Sequence, residues 1–286
     1  MRDLHLHTYY SDGTLSPEEV VKRAADKGIR TIAITDHDGL KGISEALNAG
    51  EKYGVKVIPG IELSAKVYKE DFTSSNFIPT RDVFIHILGY DIDINNEELN
   101  QEIENIRQKR IERNMKLLAK LNCIGCELNE GDLFKWAQKD YIGKPNFALA
   151  LMEKGYIKNP KEAFLPGKFL RHPEVRSVRR EKIHARKAIS LIENAGGKAV
   201  LAHPMKIRAL KGNEEYNFEG LEALLDILQK WGLVGMECRY STHSKEQTEV
   251  LEKIAQKRGL VITSGSDYHG PDFDPSIDIG VFGKDY

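Results

Sequence analysis

Short apolar segments recur along the chain and are separated by stretches with helical periodicity. Seven of these segments have the length and composition of β-strands. They cover Arg2–His7, Thr31–Thr35, Val55–Leu63, Val83–Leu88, Lys198–Ala202, Val234–Cys238 and Leu260–Ser264. The fifth is apolar on both faces, as a strand buried inside a parallel sheet should be. Because helical patterns lie between most of the strands, the sequence predicts an α/β fold made of βα units.

Capping signals mark the ends of some of these helices. Ser16, Pro17 and Glu19 form an N-cap, a first-turn proline and the far end of a capping box, and Gly28 is placed to end the helix. The segment Ser244–Gln247 repeats the capping box. Both helices are therefore expected to begin at these serines.

One long region breaks the alternation of strands and helices. Residues 97–181 contain helical patterns and basic loops but no clear strand, including a long charged helix over Asn95–Leu121 and an arginine-rich stretch over Phe169–Lys182. We expect a helical insertion that covers one end of a barrel, within one domain that spans residues 1–286.

The composition restricts the class of protein. The 42 Lys and Arg residues balance 43 Asp and Glu residues, and the net charge of −1 gives no overall attraction to duplex nucleic acid or to a membrane. The first residues lack the apolar segment of a signal peptide, and no apolar run is long enough to span a membrane. Three cysteines, Cys123, Cys126 and Cys238, are too few and odd in number for a disulfide framework. A cytoplasmic location is expected, and the single C-x-x-C motif is interpreted as structural.

Nine side chains that can bind metals are spread along the chain, almost all at the ends of predicted strands. They are His5, His7, Asp12, His37, Glu62, His86, His203, Asp267 and His269. Alternation along the first strand places His5 and His7 on one face, where both could bind one ion. Taken alone, this H-x-H pattern could equally be two polar residues on a solvated strand.

The complete set is more informative than any of its members. The carboxyl ends of strands in a parallel βα fold meet at one rim, which is where catalytic groups collect. Imidazoles mixed with carboxylates suit Mn, Fe or Zn. Nine such groups exceed the three or four protein ligands that one zinc ion usually takes. The sequence therefore indicates a hydrolase with more than one metal ion.

The motifs in order, DLHLHTYYSDGTLSPEEVV, TDHD, IPGIELSA, HILGY, AVLAHP and SGSDYHG, resemble those of the PHP (polymerase and histidinol phosphatase) family. The resemblance covers nearly the whole chain and is strongest to stand-alone phosphoesterases of that family. It implies a distorted seven-stranded (β/α) barrel with three divalent metal ions, most commonly Mn, with Fe or Zn as substitutes.

The resemblance also implies a role for each of the nine residues. His5, His7 and Asp267 would bind a first ion, and Glu62 would bridge it to a second. His86 and His203 would complete the second site, and Asp12, His37 and His269 would hold the third ion. Glu62, His203 and Asp267 are the expected catalytic residues among them.

A phosphorylated substrate also needs fixed positive charge. Arg110 and Arg113 lie three residues apart on the long predicted helix and so share a face, Lys144 opens a helix where backbone N–H groups favour anions, and Arg171 belongs to an arginine-rich loop. These cations are candidates for a phosphate site, although each could instead lie on a solvated surface. Asn146 stands where the family often has histidine, which puts any substrate contact by that position in doubt.

The expected reaction is hydrolysis of the 3′-phosphate of a nucleoside 3′,5′-bisphosphate, with related activity on the 5′ ends of short RNA. Histidinol phosphate or a cyclic phosphodiester is an alternative substrate, and a non-catalytic scaffold is the alternative of a different class. A scaffold is disfavoured because all nine metal-binding residues are present. Glu237 and His243, close to the end of the sixth predicted strand, are candidates for supporting the site.

Overall fold

The computed structural model describes residues 1–73, 77–136, 141–212, 215–271 and 273–282. The strands are β1 Arg2–Leu6, β2 Thr31–Ile34, β3 Lys56–Val67, β4 Val83–Tyr90, β5 Ile183–His184, β6 Lys198–Leu201, β7 Gly235–Tyr240 and β8 Val261–Gly265. The α-helices are α1 Pro17–Asp26, α2 Ile43–Tyr53, α3 Glu97–Cys123, α4 Glu130–Phe134, α5 Lys144–Glu153, α6 Pro173–Arg176, α7 Ala185–Asn194, α8 Phe218–Lys230 and α9 Lys245–Lys257.

The sheet closes on itself to form an almost complete barrel. Seven strands follow one another in the order β1-β2-β3-β4-β6-β7-β8, and the two-residue strand β5 pairs with β3 outside this path. The ends of the path meet, because Leu6 bridges Tyr268 and the N–H of Asp267 donates to the carbonyl of His5 at 2.9 Å. The distorted seven-stranded barrel expected from the family resemblance is confirmed.

The expectation of a parallel sheet is wrong for β4, which runs antiparallel to both of its neighbours, β3 and β6. The cause lies in the connection from β3 to β4. Its described residues contain only a 3₁₀ turn, Lys69–Asp71, whereas a parallel crossover usually requires an α-helix. In addition, β3 continues four residues beyond its predicted end at Leu63, so that Glu62 lies within the strand.

The helices pack their apolar faces on the outside of the barrel. The capping box of Ser16 and Glu19 forms as predicted, and it begins α1, whose Val20, Val21 and Ala24 are fully buried. Ser244 caps α9 with Gln247 in the same way. Because these helices are fixed against the strands, the strand ends and the loops that follow them are held in place.

The region 97–181 builds a second apolar core. Leu117 and Leu121 of α3 pack with Phe147 and Leu151 of α5 and with Val175 of α6. The described residues of this region form helices and no strand, in agreement with the sequence pattern. That residues 97–181 are an insertion covering one end of the barrel remains a prediction. Cys126 lies in this core, and all three cysteines are free.

Among the described helices, none has both the length and the apolar character that crossing a bilayer requires.

Candidate metal centre

The nine predicted metal-binding side chains converge on one region of the barrel, with Glu62 at its middle. The Glu62 carboxylate lies 2.8 Å from His37, 2.8 Å from His86 and 3.0 Å from His203. It also lies 3.4 Å from His5 and 3.4 Å from His7. One buried carboxylate therefore contacts five of the six imidazoles of the set.

The two remaining carboxylates, Asp267 and Asp12, contact four of the imidazoles. Oδ1 of Asp267 lies 2.9 Å from Nε2 of His7 and 3.3 Å from Nε2 of His5. Asp12 lies 3.3 Å from Nε2 of His269 and 3.7 Å from Nε2 of His37. All nine residues are thus joined in one continuous cluster, which we call the metal centre.

Within the metal centre, three overlapping groups have ligand atoms within 4.8 Å of one another. The groups are His7, Asp12, His37 and His269; His5, His7, Glu62 and Asp267; and His37, Glu62 and His86. His203 falls outside these groups, although its Nε2 contacts Glu62. One group contains the three residues of the first implied set together with the bridging Glu62, and another contains the three residues of the third implied set together with His7. The assignment of individual ions remains a prediction.

The donor atoms fit a bound cation, because most of them are buried without a hydrogen-bond partner. This holds for His5 Nε2, His7 Nε2, Asp12 Oδ1, His37 Nδ1, Glu62 Oε2 and His203 Nδ1. Unpaired buried polar atoms are costly and rare in native proteins. Divalent ions placed among these imidazoles and carboxylates would satisfy them, and this donor set suits Mn, Fe or Zn.

The electrostatics of the metal centre also favour a cation. Burial raises the pKa of Glu62, but the neighbouring His37, His86 and His5 outweigh it and hold that pKa well below its usual range. Burial and the nearby His269 lower the pKa of His7 to about 4, so its imidazole is neutral at pH 7. Burial also lowers the pKa of His37, but the charges of Glu62 and Asp12 raise it to about 9. The negative charges of Glu62 and Asp12 that stabilise a proton on His37 would also attract a metal ion in its place.

Backbone strain accompanies the site. Asp38, His203 and Asp267 have φ values of 52°, 27° and 57°, in the left-handed region that side chains with a Cβ rarely adopt. The backbone N–H of His203 donates to Oε2 of Glu237 at 2.8 Å, which holds the strained residue in position. Backbone strain of this kind is common at functional sites, where it holds side chains in orientations that an unstrained backbone would not give them.

Several residues support the metal centre from behind. Glu237, within β7, accepts a hydrogen bond from Nδ1 of His5 at 3.0 Å, which agrees with the supporting role suggested for it. The hydroxyl of Tyr240 donates to Oδ2 of Asp267 at 2.6 Å. His243 instead places Nδ1 2.9 Å from the carbonyl of Cys238. Sequence reasoning missed Tyr240, because a tyrosine at a strand end carries no metal-related signal.

The predicted phosphate-binding residues divide into two kinds. Arg110 is buried, lies 2.5 Å from Oδ2 of Asp38, and has its guanidinium 4.0 Å from the centre of the Tyr141 ring. Arg180 also contacts Asp38, at 2.7 Å. Arg113 is equally buried, but its Nε has no hydrogen bond, and burial together with Arg110 and Arg180 lowers its pKa to about 10. The charge of Arg110 is therefore compensated by Asp38, whereas no carboxylate among the described residues forms an ion pair with Arg113.

A group of cations surrounds Lys144. Burial lowers the pKa of Lys144 most. The positive charges of four nearby arginines lower it further; they are Arg113, Arg171, Arg208 and Arg179. We call these five residues the basic cluster. In the described part of the chain, no carboxylate forms an ion pair with any of them. Lys144 and Arg171 are thus brought together with Arg113, as a phosphate site requires.

Asn146 has a structural role in place of the histidine often found there. Its Oδ1 accepts from the N–H of Gly143 at 2.8 Å, and its Nδ2 donates to the carbonyl of Trp136 at 2.8 Å. These bonds fix the start of α5 beside Lys144. The amide therefore shapes the loop, with both of its polar groups engaged.

A barrel with this cluster of imidazoles and carboxylates at its strand ends defines a metal-binding α/β-barrel protein. The family model of the PHP domain matches residues 3–257. The chain therefore belongs to the PHP family.

Two relatives and one solved structure are similar over almost the whole chain. The chain is 30% identical over 270 residues to the 3′,5′-nucleoside bisphosphate phosphatase of Chromobacterium violaceum, covering 94% of this chain and 87% of that protein. It is 30% identical over 271 residues to a 5′-3′ exoribonuclease of Haemophilus influenzae, covering 94% and 90%. An amidohydrolase from Chromobacterium violaceum, solved with bound sulfate, superposes with a TM-score of 0.80 at 29% identity, covering 98% of this chain and 90% of that one.

Proposed function

We propose that this protein hydrolyses the 3′-phosphate of nucleoside 3′,5′-bisphosphates, using divalent ions held by the metal centre. The broader class is a metal-dependent phosphoric ester hydrolase, in keeping with its family and with relatives that act on phosphate esters. Three ions, with Mn as the usual metal, and a cytoplasmic location belong to the same proposal.

The observation that carries the proposal is the pairing of the metal centre with the basic cluster. Asp38 follows the metal-centre residue His37 directly and contacts Arg110, and Arg113 lies one helical turn further along α3. The two sites are therefore linked through one short ion pair. A substrate with two phosphates would place one at each site, whereas a monophosphate would leave the uncompensated cations unused.

The residues of the chain divide the work between holding ions and holding substrate. The nine residues of the metal centre would hold the ions, which would lower the pKa of water and offset charge on the phosphoryl oxygens. Glu62, His203 and Asp267 are the proposed catalytic residues. Glu237 and Tyr240 fix the orientation of His5 and Asp267 through the hydrogen bonds described above.

The basic cluster would hold the 5′-phosphate and so position the 3′-phosphate. Lys144 lies at the first turn of α5, where free backbone N–H groups also favour anions. Arg113 is held rigid by burial, so little conformational entropy would be lost when it contacts a phosphate. Binding energy from this remote phosphate would serve to orient the reacting one.

The proposal is tested by phosphate release from metal-depleted protein to which Mn, Fe or Zn is restored. Adenosine 3′,5′-bisphosphate should be hydrolysed efficiently, and histidinol phosphate poorly. His7→Ala or Glu62→Ala should abolish turnover and leave the far-UV circular dichroism unchanged. Preference for histidinol phosphate, or near-wild-type turnover by either variant, would contradict the proposal.

The role of the basic cluster has its own test. Lys144→Ala should raise KM for adenosine 3′,5′-bisphosphate and leave that for adenosine 3′-monophosphate unchanged, since only the first substrate carries a 5′-phosphate. Lys158→Ala, an exposed lysine outside the cluster, is the matched control. The related exonuclease activity is measured with a short 5′-phosphorylated RNA as the substrate.

A further inference from the structure

A cavity of about 370 Å³ opens beside the metal centre. Its wall includes His37 and Asp38 at the end next to the metal centre, the first turn of α2 at Ser44, and the amino-terminal half of α3 from Asn100 to Arg110. We call it the side pocket. Its size falls within the range of small-molecule sites, roughly 300–1,000 Å³.

Apolar and aromatic side chains form one part of the wall of the side pocket, and charged and polar side chains form the rest. Its apolar and aromatic residues are Leu40, Ile94, Ile103, Ile106, Tyr10 and Tyr141. The aromatic rings are held in place by close packing. Gly42 allows Tyr10 to approach, since a Cβ there would lie 2.9 Å from Cδ2 of that ring, and the Arg110 guanidinium covers the Tyr141 ring. Rigid rings and branched side chains make a wall that fits a flat, weakly polar group.

Both arginines on this wall are paired with carboxylates, so the side pocket differs from the basic cluster; Lys41 also lines the wall. Arg110 contacts Asp38, and Arg107 forms a two-pronged ion pair with Glu104 at 2.8 and 2.9 Å. A phosphate placed here would compete with carboxylates that already hold the arginines. The amides of Asn95 and Asn100 and the hydroxyl of Ser44 also line the wall. Apolar walls with a few neutral polar groups suit an uncharged ring whose edge forms hydrogen bonds.

We propose that the side pocket binds the nucleobase of the substrate, an inference that rests on the proposed function and specifies which part of the substrate gives selectivity. A 3′-phosphate at the metal centre and a 5′-phosphate at the basic cluster place the ribose beside Asp38 and Arg110. These same two residues line the side pocket. The base therefore has an apolar slot within reach of both phosphate sites.

Equilibrium binding to the manganese-loaded protein tests the assignment without requiring turnover. Adenosine 5′-monophosphate and ribose 5-phosphate share a phosphate and a sugar, and differ in the base. Calorimetry should show the nucleotide binding at least about tenfold more tightly, as expected when a base stacks on protein rings. Equal affinity for the two ligands would overturn the assignment.

A pair of variants tests whether the preference for the nucleotide arises in the side pocket. Ser44 and Asn48 are both exposed on α2, but only Ser44 lines the side pocket. Ser44→Trp should fill the pocket and remove the tenfold preference for the nucleotide, while leaving the affinity for ribose 5-phosphate unchanged. Asn48→Trp should behave as wild type. Full preference retained by Ser44→Trp would overturn the assignment.

The proposed function and the side pocket fail in different ways. Hydrolysis of adenosine 3′,5′-bisphosphate together with equal binding of the two ligands would overturn the side pocket alone. Base-dependent binding with no phosphate release from the bisphosphate would overturn the proposed reaction, and would retain the pocket as a nucleobase site.

Discussion

Glu237 fixes His5 from behind, with Oε1 of the carboxylate 3.0 Å from Nδ1 of the imidazole and both side chains fully buried. The other oxygen, Oε2, accepts from the backbone N–H of His203 at 2.8 Å. One carboxylate therefore ties β7 to β1 and to the strained turn after β6. With Nδ1 engaged in this way, Nε2 of His5 is directed to the centre of the cluster, where it has no hydrogen-bond partner.

This contact makes Glu237 a test of metal affinity. Glu237→Gln keeps the size of the side chain but removes the charge that orients His5 and raises its basicity. We expect the affinity for Mn to fall by about 10- to 100-fold, the usual effect of losing such a partner. Metal content after dialysis against buffered Mn measures it. Glu252→Gln, which alters a surface pair with Arg239, is the control, and an unchanged affinity in Glu237→Gln would refute this role.

Gly265, at the end of β8, leaves room for both partners of this contact. A Cβ at this position would overlap Cβ of His5 and Oε1 of Glu237. Gly265→Ala should therefore lower the free energy of unfolding by about 1–3 kcal/mol, as overpacking of a dense site does. Urea unfolding of the metal-free protein gives the value. Gly39→Ala is the comparison, because the nearest atom to its added Cβ would be the His37 carbonyl oxygen at 3.8 Å. Equal stability of the two variants would disprove the steric conflict.

Asp38 predicts a specific loss of stability in acid. Burial raises its pKa, but Arg180, Arg110 and His37 outweigh burial and lower it to about 2 from an ordinary value of 3.8. Since the pKa of Asp38 is lower in the folded protein, its charge stabilises the fold fully above about pH 4, and this stabilisation is lost as the pH falls through 2. Its size is about 2 kcal/mol, from 1.36 kcal/mol for each pKa unit.

The variant Asp38→Asn isolates this contribution from that of the other carboxylates. Urea unfolding of metal-free protein at pH 5 and at pH 2 should show a wild-type advantage over the variant that shrinks by about 2 kcal/mol in acid. An advantage that is constant between the two pH values would show that Asp38 does not titrate in this range.

The metal centre could be predicted from the sequence because its signals are local. His5 and His7 share a face through the period of two, and His37, His203 and Asp267 follow apolar runs whose ends meet in any closed barrel. Glu62 and His86 instead lie inside β3 and β4. These motifs also carry the family resemblance. The supporting residue Glu237 was accessible from the sequence as well, since it lies near the end of the sixth predicted strand, within β7 of the structure.

The direction of β4 and the partner of Arg110 could not be predicted. An apolar run does not indicate which way its strand runs in the sheet, so Val83–Leu88 fits either direction. The absence of a crossover helix among the described residues before it is evident only in the fold. Arg110 and Asp38 are 72 residues apart, and nothing in either segment encodes their contact. The arginine spacing predicted a shared helical face, but burial and the pairing with Asp38 depend on tertiary packing.

The unpaired buried atoms of the metal centre predict that metal binding will stabilise the fold. Mn at 100 times its dissociation constant should raise the free energy of unfolding by about 2.7 kcal/mol for one site, relative to protein in EDTA. His7 belongs to two of the three ligand groups, so His7→Ala should lose most of this increase. His184→Ala should retain it, because His184 lies outside the cluster and contacts Asp71 at 2.9 Å. Urea titrations with and without Mn measure the difference, and an equal increase in both variants would mean that the ions bind elsewhere.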